Sequence, residues 1–322
     1  MRSLCVTLKP LSAFGGPIKG DTLFGHLCWA MRNRHGEARL RELLAGYGAG
    51  QPFAVCSDAL PQGHLPRPAW PLHHYTESPG LDRKAVKRLH WLPAEAVAQP
   101  LTHWLDHLRS DSQVVTALGL VGHGLARRHA QPHNSIDRRS GTTGRADFAP
   151  YSLPQLWHAA GVQLDCWLLV DTQQLTLAEV ETLLDDIGRA GHGRDASIGL
   201  GKFALAALAE TPLPRQPDAN AGLTLAPCAP QGLGYDPARS FYEPFTRFGR
   251  HGDSAVLGGR PFKAPVLLAQ TGALLSPPVL PTQGFLGQGL GGDGTLSNAI
   301  AGTVQQGYAP FVGVHLPREE RP

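Results

Sequence analysis

The chain has 322 residues, a net charge of only +3, and 38 glycines and 28 prolines that make up about a fifth of it. With 42% hydrophobic and 17% charged residues it can bury real cores, which excludes a low-complexity chain; the length fits about two domains. The small charge also excludes a strongly basic tail protein while leaving room for local basic patches.

Leu4, Val6 and Leu8 alternate with Cys5 and Thr7, the period of a half-buried strand. FGGPIKGD (14–21) then breaks the pattern. Asp21 is read as the N-cap of a helix whose apolar face is Leu23, Phe24, Leu27, Cys28 and Met31, weakened by Gly25. Residues 57–79, with five prolines, and 122–150, basic and without apolar period, read as irregular. Val162, Leu164, Cys166, Leu168 and Val170 predict a second strand. Thr176 and Glu179 have capping-box spacing before a helix with Leu177, Val180, Leu183, Leu184 and Ile187 on one face, ending at Gly188. GHGRDASIGLG (191–201) leads into a strand in KFALAAL. This order predicts a split α+β sandwich of ferredoxin type, with a boundary in 211–222. Beyond it, PVLLAQTGALL, NAIAGTVQQ and FVGVHL read as shorter strands.

Charge is uneven. Residues 123–145 hold Arg127, Arg128, Arg138, Arg139 and Arg145 against Asp137, with His123, His129 and His133. Residues 239–263 hold Arg239, Arg247, Arg250, Arg260 and Lys263 against Glu243 and Asp253, interleaved with Tyr242, Phe245, Phe248 and Phe262. Each stretch alone fits a solvated loop equally well. Two in one weakly charged chain point to single-stranded nucleic acid, because guanidinium pairs with phosphate and rings stack on bases.

In GHGRDASIGLG, Gly191, Gly193, Gly199 and Gly201 allow backbone N–H groups to approach an anion, with Arg194, Ser197 and Lys202 as side-chain contacts. A plain structural turn fits the same pattern. It is no P-loop, since GKS or GKT is absent, and it opens no helix as a dinucleotide fingerprint does. His73–His74 and the His123, His129, His133 trio lack HExxH spacing, so no metal is expected; no cofactor is expected either. His26 and His35 are candidates for a general acid or base, with ordinary core or surface histidine as the simpler reading. The five scattered cysteines lack CxxC, no apolar run nears 18 residues, and MRSLCVTLKP lacks a signal-peptide core. The expectation is a cytoplasmic protein without disulfides and without a membrane segment.

Together the N-terminal strand, GDTLFGHLCWA (20–30) and GHGRDASIGLGKF resemble the RAMP proteins of CRISPR–Cas systems. More narrowly, the chain is similar to the group that caps the crRNA 5′ handle in type III-A (Csm) effector complexes. FAVCSDALPQGHLPRP (53–68), HNSIDRRSGTT (133–143), GRPFKAPVLLAQTGALL (259–275) and QGYAPFVGVHLP (306–317) support this in the expected order. The resemblance implies two ferredoxin-like (RRM-like) domains, 1–212 with inserted loops and 213–322. It implies a non-catalytic subunit that holds the crRNA 5′ handle and docks the large polymerase-like subunit. Such a subunit also contacts the RAMP backbone subunit and meets target RNA only indirectly. The implied RNA contacts are Lys19 and Gly20 in the first loop and Gly193, Arg194 and Ser197 in the glycine loop. Asn134, Arg138 and Arg139 would act on a thumb-like projection, with Arg247, Phe248 and Arg250 in the second domain. Asp21 stays a cap rather than a cleaving carboxylate. The alternatives are a RAMP endoribonuclease processing precursor crRNA, with His26 or His35 as base, and a protein–protein adaptor.

Overall fold

The computed structural model describes residues 1–76, 82–144, 148–252 and 261–317. Pro79, Arg145, Asp253, Gly259 and Arg260, which enter the sequence analysis, lie outside them. β1 (Arg2–Pro10) leads through the first loop into α1 (Gly20–His35) and α2 (Glu37–Leu44), then β2 (Ala54–Pro61). An insert follows with β3 (His64–Pro66), α3 (Arg83–Val86), β4 (Trp91–Pro93), α4 (Trp104–His107) and α5 (Asp111–Ala117). β5 (Ala126–His133) and β6 (Tyr151–His158) form a two-stranded arm. β7 (Leu164–Val170), α6 (Leu177–Ala190) and β8 (Phe203–Glu210) close the N-terminal half. The C-terminal half contributes β9 (Ala221–Thr224), β10 (Pro244–Arg247), β11 (Val266–Ala269), β12 (Leu274–Leu275), β13 (Phe285–Gly291) and β14 (Val304–Val314).

The chain is α+β. Its first sheet runs β2-β7-β1-β8 with antiparallel neighbours throughout. The even-numbered side chains Leu4, Val6 and Leu8 point to one face, where they share a core with Leu23, Phe24, Leu27 and Met31 of α1 and Val180, Leu183, Leu184 and Ile187 of α6. Each such side chain stabilises the fold by about 1.5–3 kcal/mol on burial. Cys5 and Trp167, on the opposite face, pack with the insert (Leu65, Leu92, Trp104) and with Leu223, Leu274 and Val312 of the second sheet. That sheet runs β12-β9-β14-β13, and β10-β11 form a separate ribbon. Among the described residues of 213–317 there is no helix. Phe285 and Tyr308 reach across into the first core.

Several local expectations are corrected. α1 begins at Gly20, so Asp21 lies inside its first turn and is not the cap. The capping box of α6 is present, but the helix runs through Gly188 to Ala190. Gly188 serves close packing there, because a Cβ would stand 2.3 Å from the Phe203 carbonyl oxygen. Within 122–150, residues 126–133 are a strand, whose ribbon is exposed on both faces and therefore carries no apolar alternation. Residues 57–79 include the end of β2 and all of β3. NAIAGTVQQ and FVGVHL are not two strands: β14 takes the end of the first and the start of the second.

Candidate nucleic-acid interface

β1 and β8 are antiparallel neighbours, so the loop leaving β1 and the glycine loop entering β8 meet at one end of the sheet. Backbone bonds sew them together: Leu11 N–H donates to the Lys202 carbonyl (2.8 Å) and Gly201 N–H to that of Ala13 (2.7 Å). Lys202 N–H donates to Ser12 Oγ (2.9 Å). Arg194 Nη2 donates to the carbonyls of Gly15 (3.0 Å) and Pro154 (3.2 Å), tying in the arm. Phe14 and Leu156 exchange backbone bonds of 2.9 and 2.8 Å at the arm's base. The first loop, the glycine loop and strand β6 at the base of the arm thus meet at one end of the sheet.

The four loop glycines divide into two kinds. A Cβ on Gly191 or Gly201 would stand 2.3 or 2.1 Å from a carbonyl oxygen of the loop itself, so these two are required by packing. Gly193 and Gly199, at φ +81° and +92°, face open space. They leave backbone accessible to a ligand. Ser197 lines a groove of about 610 Å³ between this loop, α1 and α6, and Lys202 is exposed.

His26 pins the loop to α1, its Nε2 accepting the Gly193 N–H at 2.8 Å. Its ring lies 4.8 Å from that of His192. Burial pulls the pKa of His26 down to about 4 and that of His192 to about 3, so both are neutral at pH 7. The lone pair a general base needs is occupied in this arrangement. His35 lies exposed at the C-terminal end of α1.

On the arm, Asn134, Arg138 and Arg139 are exposed. Asp137 Oδ1 accepts the Arg139 N–H (2.9 Å), and Asp137 bridges to Thr142, closing a turn that displays both arginines at the tip. Arg127 sits opposite Trp157, which is 40% exposed, and His133 stacks on Tyr151. The arm thus interleaves cations with accessible rings.

The remaining predicted residues are placed differently. Lys19 Nζ donates to Asp58 Oδ2 (2.7 Å). The buried Asp58 also accepts the Gly20 N–H (2.8 Å) and the Thr271 hydroxyl (2.5 Å), so this carboxylate from β2 is the real cap of α1. Gly20 is buried, and a Cβ there would stand 2.2 Å from the Cys56 carbonyl oxygen. Arg247 turns inward: Nε and Nη2 bind the Asp21 carboxylate at 2.7 and 2.9 Å, and Gln305 Nε2 adds a third bond at 3.0 Å. Burial holds the Asp21 carboxyl above its ordinary range against the opposing pull of Arg247. Phe248 and Arg250 are exposed, away from that pair. Sequence reasoning missed Asp58, Thr271 and Gln305, because side chains that bind α1 from distant segments leave no local spacing signal.

No family model matches the chain, and no curated protein matches its sequence. Solved structures do match. A chain of the Csm1-Csm4 cassette in complex with pppApA aligns over 98% of this chain and 99% of its own, at TM-score 0.58 and 14% identity. The cassette in complex with AMPPNP gives TM-score 0.57 and 15% identity over 99% and 100%. The Csm3-Csm4 subcomplex of a type III-A CRISPR-Cas interference complex gives 0.54 and 14% over 96% and 99%. The chain shares the fold of Csm4, the component common to these assemblies. The likeness runs from end to end, in line with the expected RAMP resemblance. Among the described residues no helix is long and apolar enough to cross a membrane, and no group of three His, Cys, Asp or Glu is placed to hold a metal ion.

Proposed function

We propose that the chain is a non-catalytic crRNA-binding subunit of a type III-A CRISPR interference complex. It caps the crRNA 5′ handle, docks the large polymerase-like subunit and contacts the RAMP backbone subunit. One observation carries this reading: the first loop, the glycine loop and the base of the arginine-tipped arm converge on one surface. The fold shared with Csm4 supports it, since Csm4 is found with Csm1 in one set of assemblies and with Csm3 in another. The strand order β2-β7-β1-β8 with α1 and α6 on one face fits a ferredoxin-like βαββαβ unit for 1–212. A second such unit in 213–322 would be reduced to its strands over the described residues.

In this reading Arg138, Arg139 and Lys202 neutralise phosphates, Arg194, bound to two carbonyls and paired with Asp195 at 3.1 Å, holds the loop in place, and the open backbone at Gly193 and Gly199 lets a nucleotide lie close to the loop. Lys19, Gly20 and Arg247 act one step back, by fixing α1 beneath that surface. The protein does no chemistry of its own, and the occupied lone pair of His26 supports that part.

The test is fluorescence anisotropy of the protein with crRNAs carrying an intact or a scrambled handle, over a salt series. The intact handle binds more tightly. Arg138→Ala/Arg139→Ala weakens binding and flattens the log K against log salt slope by about 1.4, at roughly 0.7 per single-strand phosphate. Equal affinity for both RNAs and an unchanged slope would refute the reading. Metal-independent cleavage of a repeat RNA, lost in His26→Ala, would replace it with the endoribonuclease.

A further inference from the structure

We infer that the outer face of the C-terminal ribbon is a stacking platform for single-stranded RNA outside the handle site, built from Phe248, Arg250 and Phe262. The inference rests on the reading of the chain as an RNA-binding protein. β10 pairs with β11, and after a one-residue register shift the ribbon pairs again past the named strands: Lys263 N–H donates to the Gly249 carbonyl (2.9 Å), His251 N–H to that of Pro261 (2.7 Å), and Arg250 bridges to Phe262. Strand alternation sorts the side chains of 245–250. Phe245, Arg247 and Gly249 are the less exposed set, with Arg247 committed to Asp21, whereas Thr246, Phe248 and Arg250 are exposed.

Phe248 is 74% and Phe262 71% exposed, an unusual state for two phenylalanines of one ribbon. Arg250 opposes Phe262, and Phe248 stands two residues before Arg250 in the same exposed set. The Arg250 guanidinium lies over the Phe262 ring, 5.8 Å from its centroid. Two open π-faces with a guanidinium beside them offer stacking for unpaired bases and a partner for the phosphate between them.

Charge decides the class of occupant. Residues 244–252 and 261–269 contain Arg247, Arg250 and Lys263 and no acidic residue. Of these, Arg247 is paired and Lys263 Nζ donates to the Val304 carbonyl, which leaves Arg250 as the cation displayed beside the rings. The face complements a polyanion whose other component is aromatic. Stacking of this kind tolerates any base, so it adds affinity without reading sequence.

Anisotropy of the full chain with a fluorescein-labelled oligouridylate that lacks the handle tests this. Phe248→Ala/Phe262→Ala is expected to weaken oligouridylate binding about tenfold for each ring removed and to leave the intact-to-scrambled handle ratio unchanged. Phe248→Leu/Phe262→Leu, which keeps apolar bulk but removes the π-faces, loses nearly as much. Unchanged oligouridylate affinity in both variants, beside normal handle discrimination, would overturn the platform alone. So would full retention by the leucine variant, which would point to a protein-docking patch. Failure of the unaltered protein to bind any RNA would overturn the platform and the function together.

Discussion

Replacing Arg247 by methionine removes a charge from a site where water cannot replace it. Asp21 is 4% exposed and receives two bonds from the guanidinium, at 2.7 and 2.9 Å. Without them it keeps Gln305 Nε2 at 3.0 Å and the Thr22 N–H at 3.0 Å, neither carrying charge. Breaking one partner of a buried pair costs about 3–5 kcal/mol, and the two surviving donors place the expected loss near the lower end. The pH dependence follows from the carboxyl, which burial already holds above its ordinary range and which rises further without Arg247. A folded-state pKa above the unfolded value favours the protonated native state at low pH, and that contribution is lost as pH rises through it. The deficit of Arg247→Met relative to the parent therefore shrinks on acidification and is full at neutral pH. Asp21→Asn in the same background recovers most of the loss, since it removes the orphaned charge. Urea denaturation of the parent, both single variants and the double variant at pH 7 and pH 5 measures all of this. A midpoint unchanged by Arg247→Met, a deficit that grows with acid, or no rescue by Asp21→Asn would show that Arg247 does not offset a buried charge on Asp21.

The glycines separate by role. Gly20→Ala places a Cβ 2.2 Å from the backbone of β2 and is expected to cost about 3 kcal/mol or more in thermal unfolding. Gly193→Ala meets open space and costs about 1 kcal/mol for its positive φ, while weakening RNA binding; the opposite ranking in stability would contradict the packing assignment. His26, lowered from 6.5 to about 4, makes the unfolded chain the better proton acceptor, so stability falls as pH drops from about 6.5 toward 4. The loss is roughly 3 kcal/mol from this group and is read by denaturant midpoints across that range; a flat profile would show that the ring is not buried neutral. Thr176→Ala removes the Glu179 N–H acceptor and costs about 1 kcal/mol, with no change in RNA affinity.

How legible each element is in the sequence depends on how it meets solvent. α1 and α6 bury one face and expose the other, and β1 alternates its fully buried Leu4, Val6 and Leu8 with the less apolar Cys5 and Thr7, so their apolar period predicts them, and the Thr176–Glu179 box places the start of α6. β14 is buried on nearly every residue, which erases alternation, and Gly307 and Pro310 interrupt its apolar run, so it reads as two pieces. β13 leaves no strand signal because Gly287, Gly289 and Gly291 stand where its neighbours press closest; a Cβ on Gly289 would stand 2.6 Å from the Tyr47 carbonyl oxygen. For the site, the glycine loop and the arm arginines are legible from composition, and the adjacency of the first loop and the glycine loop follows once β1 and β8 are known to pair. Asp21 reads as a cap because an acidic residue at a helix start normally is one, and its partner lies 226 residues away.

In the proposed function three separate segments hold one RNA handle. Photo-crosslinking answers it most directly, with 4-thiouridine placed at single positions of the handle and the crosslinked peptides identified by mass spectrometry. Adducts are expected in residues 11–20, 134–144 and 191–202, and they disappear when the handle is scrambled. Adducts spread over the surface without preference, or absent from all three segments, would contradict it.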